Sequence, residues 1–463
     1  MQTGRRFRLH PTPGQAKILG QWIGCVRTVY NAKVAEQHYL FWLQRWSICS
    51  PGWTGVPEGE NTRTVDQSFS HLKGGKADCP WFHDVPSQLY RNAIVQWKQA
   101  WANHWQNPEH FKRPRERRRG ENDSIWLTRE LFTIRGKGQI EIGTKTRGLG
   151  VLNFKQHRRF GDPASVTITC GADGRWWLSL TFEDGVAVKE TSAVLDEIAA
   201  MPAAERAATV VGHDRGIVRA VQSSEGACFA VSEKKRQKAT RLNRRSKALN
   251  KKLARQKKNK ASRRRKKTKV KLARTQARLA DLRNDHAHQV SRRLVDDTPA
   301  KVLAFEDLKL ANMTRRPKPA IDETGRFLPN GAKAKAGLNR ALLDQALGKI
   351  LDYTRYKAAR AGKIVLTVSA YRSSQECSCC GHTSPSNRKS QAQFHCEACG
   401  FTDNADANAS AIVQKRACGA LDKLLLAPGR GAVKLPVEAT RRRSTPSSQG
   451  ASEAGVRSTH LAA

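Results

Sequence analysis

Acidic residues and long apolar runs are both scarce in this sequence. Its 463 residues include 40 Asp and Glu against 83 Lys and Arg, which gives a formal net charge of +43. Positive charge at this density repels itself unless a polyanion neutralises it, so we expect nucleic acid as the main partner. No apolar run approaches the roughly 18 residues of a membrane-spanning helix, and residues 1–15 lack the apolar stretch of a signal peptide. The sequence therefore predicts an intracellular protein with no membrane partner.

Two further absences divide the chain into regions. Tryptophan does not occur after Trp177, and residues 234–280 contain 23 Lys and Arg but no Asp or Glu. The helical spacing of Trp97, Trp101 and Trp105 predicts that they form a helix core, with base stacking as the alternative. The acid-free segment has sparse apolar residues at helical spacing, and it predicts long helices that lie against a phosphate backbone. A solvated or disordered charge run is the alternative there.

Short segments of alternating apolar and polar residues follow the early helices. They occupy residues 111–184 and include a hairpin with its turn at residues 172–174, which together predict a small β-barrel. Thr12 is the predicted N-cap of the first helix. A single helix is predicted around residues 338–360, and residues 49–87 look like a long insertion.

Five of the eleven cysteines crowd into residues 377–399, whereas the other six are scattered as reduced thiols would be. The cluster contains two CxxC pairs with fifteen residues between them, each followed by glycine. Each short turn can present both of its sulfurs to one tetrahedral ion, so the pattern predicts a closed structural zinc site without an open catalytic position. The predicted zinc ligands are Cys377, Cys380, Cys396 and Cys399, with Cys379, His382 and His395 as alternatives.

Three carboxylates occupy positions from which the backbone could bring them together. Asp214 follows the apolar strand "TVVGH", Glu306 ends the apolar strand "KVLAF", and Asp406 begins the helix "DANASAIVQKR". Two acids at strand ends and one on a helix are arranged as in a ribonuclease-H-like core, and converging carboxylates can hold the Mg²⁺ ions that assist phosphodiester hydrolysis. Acids also occur at such places for turn and capping reasons, and the neighbours Asp307 and Asp403 are alternatives.

Three motifs resemble those of TnpB, the OrfB-type protein of bacterial insertion sequences, which is related to the type V CRISPR effectors. They are "VVGHDRGI", "LAFEDLKL" and "SSQECSCCGHTSPSNRKSQAQFHCEACGFTDNADANAS". The early segments "RRFRLHPTPGQ" and "VRTVYN" are also similar to that family, so the resemblance extends over the chain apart from its tail. In the family the last motif is a zinc ribbon that immediately precedes the third catalytic acid, which corresponds to Asp406. His213, Arg215 and Ser410 depart from the apolar or alanine residues that are more usual at these positions.

The resemblance implies a multidomain α/β protein with a β-barrel. It would have a helical recognition lobe, a wedge-type β-barrel, an RNase-H-like RuvC nuclease domain with an inserted zinc ribbon, and a disordered C-terminal tail. The implied domains are the first strand of the wedge barrel (1–11), the helical recognition domain (12–110), the wedge barrel (111–184), a linker (185–208), the RuvC nuclease domain (209–371) with a basic helical insertion (233–295), the zinc ribbon (372–402), the last RuvC helix (403–418) and the tail (419–463).

The function implied by the resemblance is that of an RNA-guided DNA endonuclease encoded by, or derived from, an insertion sequence. A guide RNA from the transposon end would occupy the basic surfaces, and double-stranded target DNA would be cut next to a short adjacent motif. Asp214, Glu306 and Asp406 would be catalytic and would hold two Mg²⁺ ions, while Zn²⁺ would be structural. The protein would be bacterial and cytoplasmic, associated with the nucleoid when bound to DNA, and a monomer or a dimer on its RNA.

Two other classes of function are open to a sequence of this kind. One is an RNA-guided DNA-binding protein or repressor that does not cut, and the complete set of three acids counts against it. The other is an unguided, basic zinc-ribbon DNA-binding accessory protein of transposition, which accounts for the charge and the cysteines but leaves the three acids unexplained. A strand-joining transposase gains no support, because no convincing His-hydrophobe-His and tyrosine constellation occurs in the sequence.

Overall fold

The computed structural model of the protein describes residues 2–45, 83–120, 123–256 and 262–426. Most of the insertion predicted at residues 49–87, and most of the predicted C-terminal tail, lie outside these described ranges. None of the helices within the described ranges is both long and apolar enough to cross a membrane.

Helices and strands occur in groups along the described chain. The helices are α1 (Pro13–Arg45), α2 (Ser87–Gln106), α3 (Thr191–Ala199), α4 (Ala203–Ala208), α5 (Glu233–Arg255), α6 (Arg263–Asp296), α7 (Leu310–Met313), α8 (Ala332–Gln345), α9 (Leu347–Arg360) and α10 (Ala405–Leu426). The strands are β1 (Gln2–His10), β2 (Ser124–Thr128), β3 (Phe132–Gly136), β4 (Gln139–Gly143), β5 (Gly148–Lys155), β6 (Pro163–Cys170), β7 (Trp176–Glu183), β8 (Val210–Asp214), β9 (Val221–Ser223), β10 (Cys228–Phe229), β11 (Val302–Glu306), β12 (Ala320–Ile321), β13 (Phe327–Leu328), β14 (Ile364–Val368), β15 (Gln393–His395) and β16 (Thr402–Asn404).

The chain divides into two compact units. The first contains the described residues of 1–188 and 231–286, and the second contains the described residues of 189–230 and 287–463. The basic helix α5 and most of α6 therefore belong with the N-terminal part of the chain, although their sequence interrupts the elements of the second unit.

A seven-stranded antiparallel sheet forms the centre of the first unit. Its strand order is β2-β6-β7-β1-β5-β4-β3. The predicted hairpin is confirmed, because β6 pairs with β7 in a register that places Val166 opposite Leu180 and Ile168 opposite Leu178. All four of these side chains are buried. Alternation therefore gives this sheet one apolar face, against which the N-terminal helices pack.

Helices α1 and α2 cover that face. Thr12 caps α1 as predicted: Gln15 N donates to Thr12 Oγ1 at 3.3 Å, and Thr12 N donates to Gln15 Oε1 at 3.0 Å. The prediction that the α2 tryptophans form a helix core is correct for Trp101, which is 6% exposed, but wrong for Trp105, which is 62% exposed. Trp97 is half-buried at the edge of the core.

A five-stranded sheet with the order β10-β9-β8-β11-β14 forms the centre of the second unit. Strands β8, β11 and β14 are parallel, while β9 and β10 continue the sheet in antiparallel fashion. Successive residues of β11 face opposite layers: Ala304 packs in a core with α3 and α10, whereas Phe305 packs in a core with α6 and α9. Because β8 and β11 are parallel neighbours, their carboxyl ends lie at the same edge of the sheet.

The structure corrects two predicted helix boundaries. The helix predicted around residues 338–360 is two helices, because Ala346 adopts a left-handed conformation with φ of 56° and ends α8. The resemblance implies a last helix over residues 403–418, whereas α10 spans Ala405–Leu426. Its apolar face continues as well, since Leu421 and Leu425 are buried, and this packing extends the helix into the predicted tail.

Candidate active site and metal centre

The carboxylates of Asp214 and Glu306 lie at the ends of two neighbouring parallel strands. Asp214 is the last residue of β8 and Glu306 is the last residue of β11. The pairing of His213 with Phe305 places the two acids side by side at the carboxyl edge of the sheet. Glu306 is 5% exposed, so both its charge and its hydrogen bonds are largely shielded from water.

Helix α10 brings the third acid to the same edge. Asp406 lies in the first turn of this helix, where the positive end of the helix dipole favours a carboxylate. The helix crosses β8 at Gly212, whose missing side chain lets the backbones of Ser410 and Gln414 approach closely. Gln414 Nε2 then donates to Val210 O at 2.7 Å, which fixes the crossing.

The charges of the two other carboxylates act on Asp214. Burial, together with the charges of Glu306 and Asp406, raises the pKa of Asp214 to about 7. Burial also raises the pKa of Glu306, an effect opposed by the hydrogen bond from Ser373. A buried carboxylate whose ionisation is opposed by two neighbouring acids is a fitting environment for a divalent cation, and oxygen ligands are those that Mg²⁺ prefers.

Buried polar side chains hold Glu306 in place. Ser373 Oγ donates to Glu306 Oε1 at 2.5 Å. The guanidinium of Arg215 donates to the main-chain oxygen of Glu306 and, from Nη1, to Leu347 O at 3.2 Å. Arg215 therefore joins the end of β11 to the start of α9, which accounts for a charged residue directly after Asp214.

The other polar neighbour of Asp214 is also part of the scaffold. His213 Nδ1 lies 3.2 Å from Ala304 O, and its ring stacks on Phe305 with centroids 4.8 Å apart. Burial lowers the pKa of His213 to about 4, so the imidazole is neutral at physiological pH. The unusual residues on either side of Asp214 thus tie β8 to β11.

Four cysteine sulfurs converge in the segment before α10. Those of Cys377, Cys380, Cys396 and Cys399 all lie within 4.8 Å of one another. Cys377 Sγ is 3.7 Å from Cys399 Sγ, and Cys380 Sγ is 3.6 Å from Cys396 Sγ. A tetrahedral Zn²⁺ with Zn–S bonds of about 2.3 Å separates its sulfurs by about 3.8 Å, so this set fits zinc. Among the described residues no other group of three His, Cys, Asp or Glu is this tight, and the three carboxylates converge more loosely.

The two halves of this cysteine site have the same turn geometry. Gly381 N donates to Cys377 O at 2.9 Å, and Gly400 N donates to Cys396 O at 3.0 Å. Both glycines have positive φ, 78° and 71°, which a residue with a side chain adopts only with strain. The alternatives Cys379, His382 and His395 lie outside the group of four.

Direct contacts join the cysteine site to the candidate active site. Asn408, fully buried in the first turns of α10, accepts from Ser378 N at 2.9 Å and donates to Glu376 O at 2.8 Å. Arg388, which lies between the two CxxC pairs, places Nη2 3.9 Å from Asp406 Oδ1. Its charge lowers the pKa of Asp214 and so opposes the mutual repulsion of the acids.

Sequence reasoning missed Arg388 and Gly212 as parts of this site. Nothing distinguishes Arg388 in the sequence from other basic residues, whereas a glycine two residues before Asp214 within an apolar strand is a signal of close backbone approach. The two alternative acids lie at the surface: Asp307 is exposed and pairs with Lys309, and Asp403 is exposed.

Family models match three parts of the chain. Residues 1–39 match the "Helix-turn-helix domain" of the IS605-type OrfB proteins, residues 187–316 match their "Probable transposase" model, and residues 348–413 match the "Cas12f1-like, TNB domain". The second of these includes Asp214 and Glu306, and the third includes all four cysteines and Asp406. Together these matches support a TnpB-type protein. In this TnpB-type chain, residues 1–39 form β1 and most of α1.

Relatives of this TnpB-type protein match it along most of its length. It is 26% identical over 390 residues to "Putative RNA-guided DNA endonuclease InsQ" of Escherichia coli (strain K12), which covers 84% of this chain and 86% of the relative. It is 26% identical over 380 residues to "Putative RNA-guided DNA endonuclease" of Streptomyces pristinaespiralis, with 81% and 80% covered. A solved Cas12f1–sgRNA–target DNA complex is similar at 12% identity and a TM-score of 0.49, over 87% of this chain and 83% of that chain.

Proposed function

We propose that the protein is an RNA-guided DNA endonuclease whose catalytic residues are Asp214, Glu306 and Asp406. The convergence of these three carboxylates from β8, β11 and α10 is the observation that carries the proposal. The names of its relatives support the same activity. Two Mg²⁺ ions held by these residues would supply stabilisation of the attacking and leaving oxygens of the phosphodiester.

Each side chain of the site has a distinct task in this proposal. The hydrogen bond from Ser373 restricts the rotation of the Glu306 carboxylate. Arg388 balances part of the negative charge beside Asp406 and keeps Asp214 ionised nearer to neutral pH. Because the cysteine site is closed by four thiolates, its Zn²⁺ would stabilise the segment that carries Arg388 rather than take part in hydrolysis.

The remaining elements suit the partners that this activity needs. Helices α5 and α6 carry most of the acid-free segment, 23 Lys and Arg in residues 234–280, and would bind the guide RNA or its duplex with DNA through phosphates. Base pairing with the guide would then read the target, and the protein would read a short adjacent motif.

The domain interpretation is part of the proposal. The seven-stranded sheet would be the wedge barrel, α1 and α2 the recognition domain, and the five-stranded sheet with α10 an RNase-H-like RuvC core. The strand order β10-β9-β8-β11-β14, with three parallel strands and two antiparallel ones, supports the last assignment. We also propose a bacterial cytoplasmic protein of insertion-sequence origin with a guide RNA from the transposon end.

The first experiment is to express the protein from its own locus, purify it and sequence the RNA that stays bound. One dominant RNA with a constant scaffold and a locus-specific end is expected. That RNA then programs cleavage assays with wild type and Asp214→Ala, in which the variant binds RNA and target but does not cut. A heterogeneous RNA population would favour an unguided DNA-binding protein, and target binding without cutting by the wild type would favour a guided repressor.

A further inference from the structure

An open cavity of about 340 Å³ lies between α1 and α2 in the first unit. The ring of Trp101 stacks on that of Trp105 at 5.7 Å between centroids and meets Phe41 edge-on at 5.5 Å. Trp101 is 6% exposed and Trp105 is 62% exposed. These two rings therefore form a wall of the cavity that extends from the protein interior to the solvent. The residues that line the cavity are Gln37, Phe41, Trp97, Lys98, Trp101 and Trp105.

A second aromatic pair lies on the same helix as Phe41. Tyr39 and Trp42 stack at 6.2 Å and are 61% and 51% exposed. Single exposed aromatics are ordinary, but several on adjacent turns form an apolar surface of the kind that marks a binding site. The early tryptophans therefore do more than build the core of the first unit.

Basic side chains border this aromatic surface. Lys98 lines the cavity and is exposed, and Arg113 Cζ lies 5.8 Å from the centre of the Phe41 ring. Arg113 belongs to residues 112–119, which contain six Lys and Arg and one Glu. Aromatic faces beside a run of cationic side chains are the combination that binds single-stranded nucleic acid, in which bases stack and phosphates pair with the charges.

We propose that this cavity binds an unpaired nucleotide of the guide RNA. The base would stack on Trp105, and the adjoining phosphates would contact Lys98 and Arg113. A paired base inside a helix cannot offer its face to a side chain, so the nucleotide must be single-stranded or splayed out of a loop. Because every base has an aromatic face, the site would accept any base at that position.

Two observations favour RNA over the DNA target as the occupant. The net charge of +43 requires a polyanion throughout the life of the protein, and target DNA is bound only transiently. The aromatic surface is equally exposed before a target arrives, so a permanent partner must cover it. This inference rests on the proposed function, because it takes a guide RNA as that permanent partner.

The test is photocrosslinking of the purified full-length protein–RNA complex, followed by tryptic digestion and identification of nucleotide-bearing peptides. Crosslinks are expected in residues 99–112, which contain Trp101 and Trp105, and in residues 34–45. Trp105→Ala should abolish the crosslink in 99–112. When guide RNA is added back to RNA-free protein, the variant should bind it about 5- to 150-fold more weakly than the wild type. Trp105→Phe, which keeps a ring, should retain most of both. Phe327→Ala is the control, because Phe327 is 77% exposed outside this surface.

The outcomes separate this site from the proposed function. The wild-type protein could retain RNA but give no crosslink in either peptide, with an RNA affinity that Trp105→Ala does not change. That result would leave the RNA-guided activity intact and would contradict nucleotide binding in this cavity. Crosslinks that appear only with target DNA, and only to DNA, would also overturn it. A protein that carries no defined RNA would instead contradict the proposed function itself.

Discussion

A Cβ atom added to Gly212 would lie 2.2 Å from the main-chain oxygen of Ser410. The backbones of β8 and α10 are therefore in direct contact, two residues before Asp214 and four residues after Asp406. Elements nearly two hundred residues apart in sequence are held at this one crossing, and it sets the distance between two of the three carboxylates. The glycine is thus as much a determinant of the candidate active site as the acids are.

Replacement of Gly212 by alanine should disrupt this crossing. The new methyl would meet backbone atoms, Ser410 O at 2.2 Å and Gln414 N at 2.5 Å, which cannot rotate away as a side chain can. We expect a loss of about 1–3 kcal/mol in the free energy of unfolding, as for other overpacked cores, and at least tenfold slower DNA cleavage. Thermal denaturation and single-turnover cleavage of a guided target measure the two effects.

Gly419→Ala is the matched control for this substitution. Gly419 lies in the same helix α10, is exposed, and has no atom within 4 Å of an added Cβ. Alanine there should stabilise the helix by about 0.5–1 kcal/mol and leave cleavage unchanged. Equal stability of the Gly212 and Gly419 variants would show that α10 does not cross β8 as closely as the structure has it.

Arg388→Ala should change the pH dependence of cleavage. The Arg388 charge lies beside Asp406 and lowers the pKa of Asp214, so its removal lets that pKa rise further. At limiting Mg²⁺, the acidic limb of the rate profile should move to higher pH, because ionised Asp214 is the form that binds a cation. Arg388→Lys keeps the charge and should move it less. Rate profiles from pH 6 to pH 9 that superimpose for all three proteins would contradict this role.

Much of the site can be predicted from the sequence, because most of its residues are marked by short local patterns. An acid at the end of an apolar strand and a pair of CxxC turns each depend on a few adjacent residues, so Asp214, Glu306 and the four cysteines can be singled out. Arg388 cannot be predicted in this way, because its approach to Asp406 depends on how the segment between the CxxC pairs folds back onto α10.

The same distinction applies to the fold. The β6–β7 hairpin follows from alternation and a short turn, and it is predicted correctly. The break at Ala346 is not predicted, because alanine rarely adopts the left-handed conformation, and here buried neighbours on both sides hold it there. Nor does the sequence reveal that α5 packs with the N-terminal unit, since a run of basic residues carries little information about its neighbours.

Metal-free protein should lose stability as the pH rises from 6 to 8. The pKa of Asp214 is raised from its ordinary value of 3.8 to about 7 in the folded protein, so in this range the folded state holds more protons than the unfolded state. Each unit of that pKa shift corresponds to about 1.4 kcal/mol in the free energy of unfolding. The whole of this energy is lost once Asp214 is ionised in the folded protein, above pH 7. Asp214→Asn should flatten the dependence, and Mg²⁺ should raise the melting temperature of the wild type but not of the variant at pH 8. A wild-type melting temperature that rises over this range without metal would refute the crowding of the three acids.

Removal of the cysteine ligands should affect the active site through α10. In Cys396→Ser/Cys399→Ser we expect the loss of one bound Zn²⁺ per chain and a lower melting temperature, because the turn that donates from Ser378 to Asn408 loses its support. Cleavage should fall with it, since Asn408 lies in the turn that follows Asp406. Cys379→Ser is the control, because Cys379 is exposed and lies outside the group of four. The zinc content and the cleavage rate of this variant should equal those of the wild type. Elemental analysis of the purified proteins decides the assignment, and zinc lost from Cys379→Ser but retained in the double variant would reverse it.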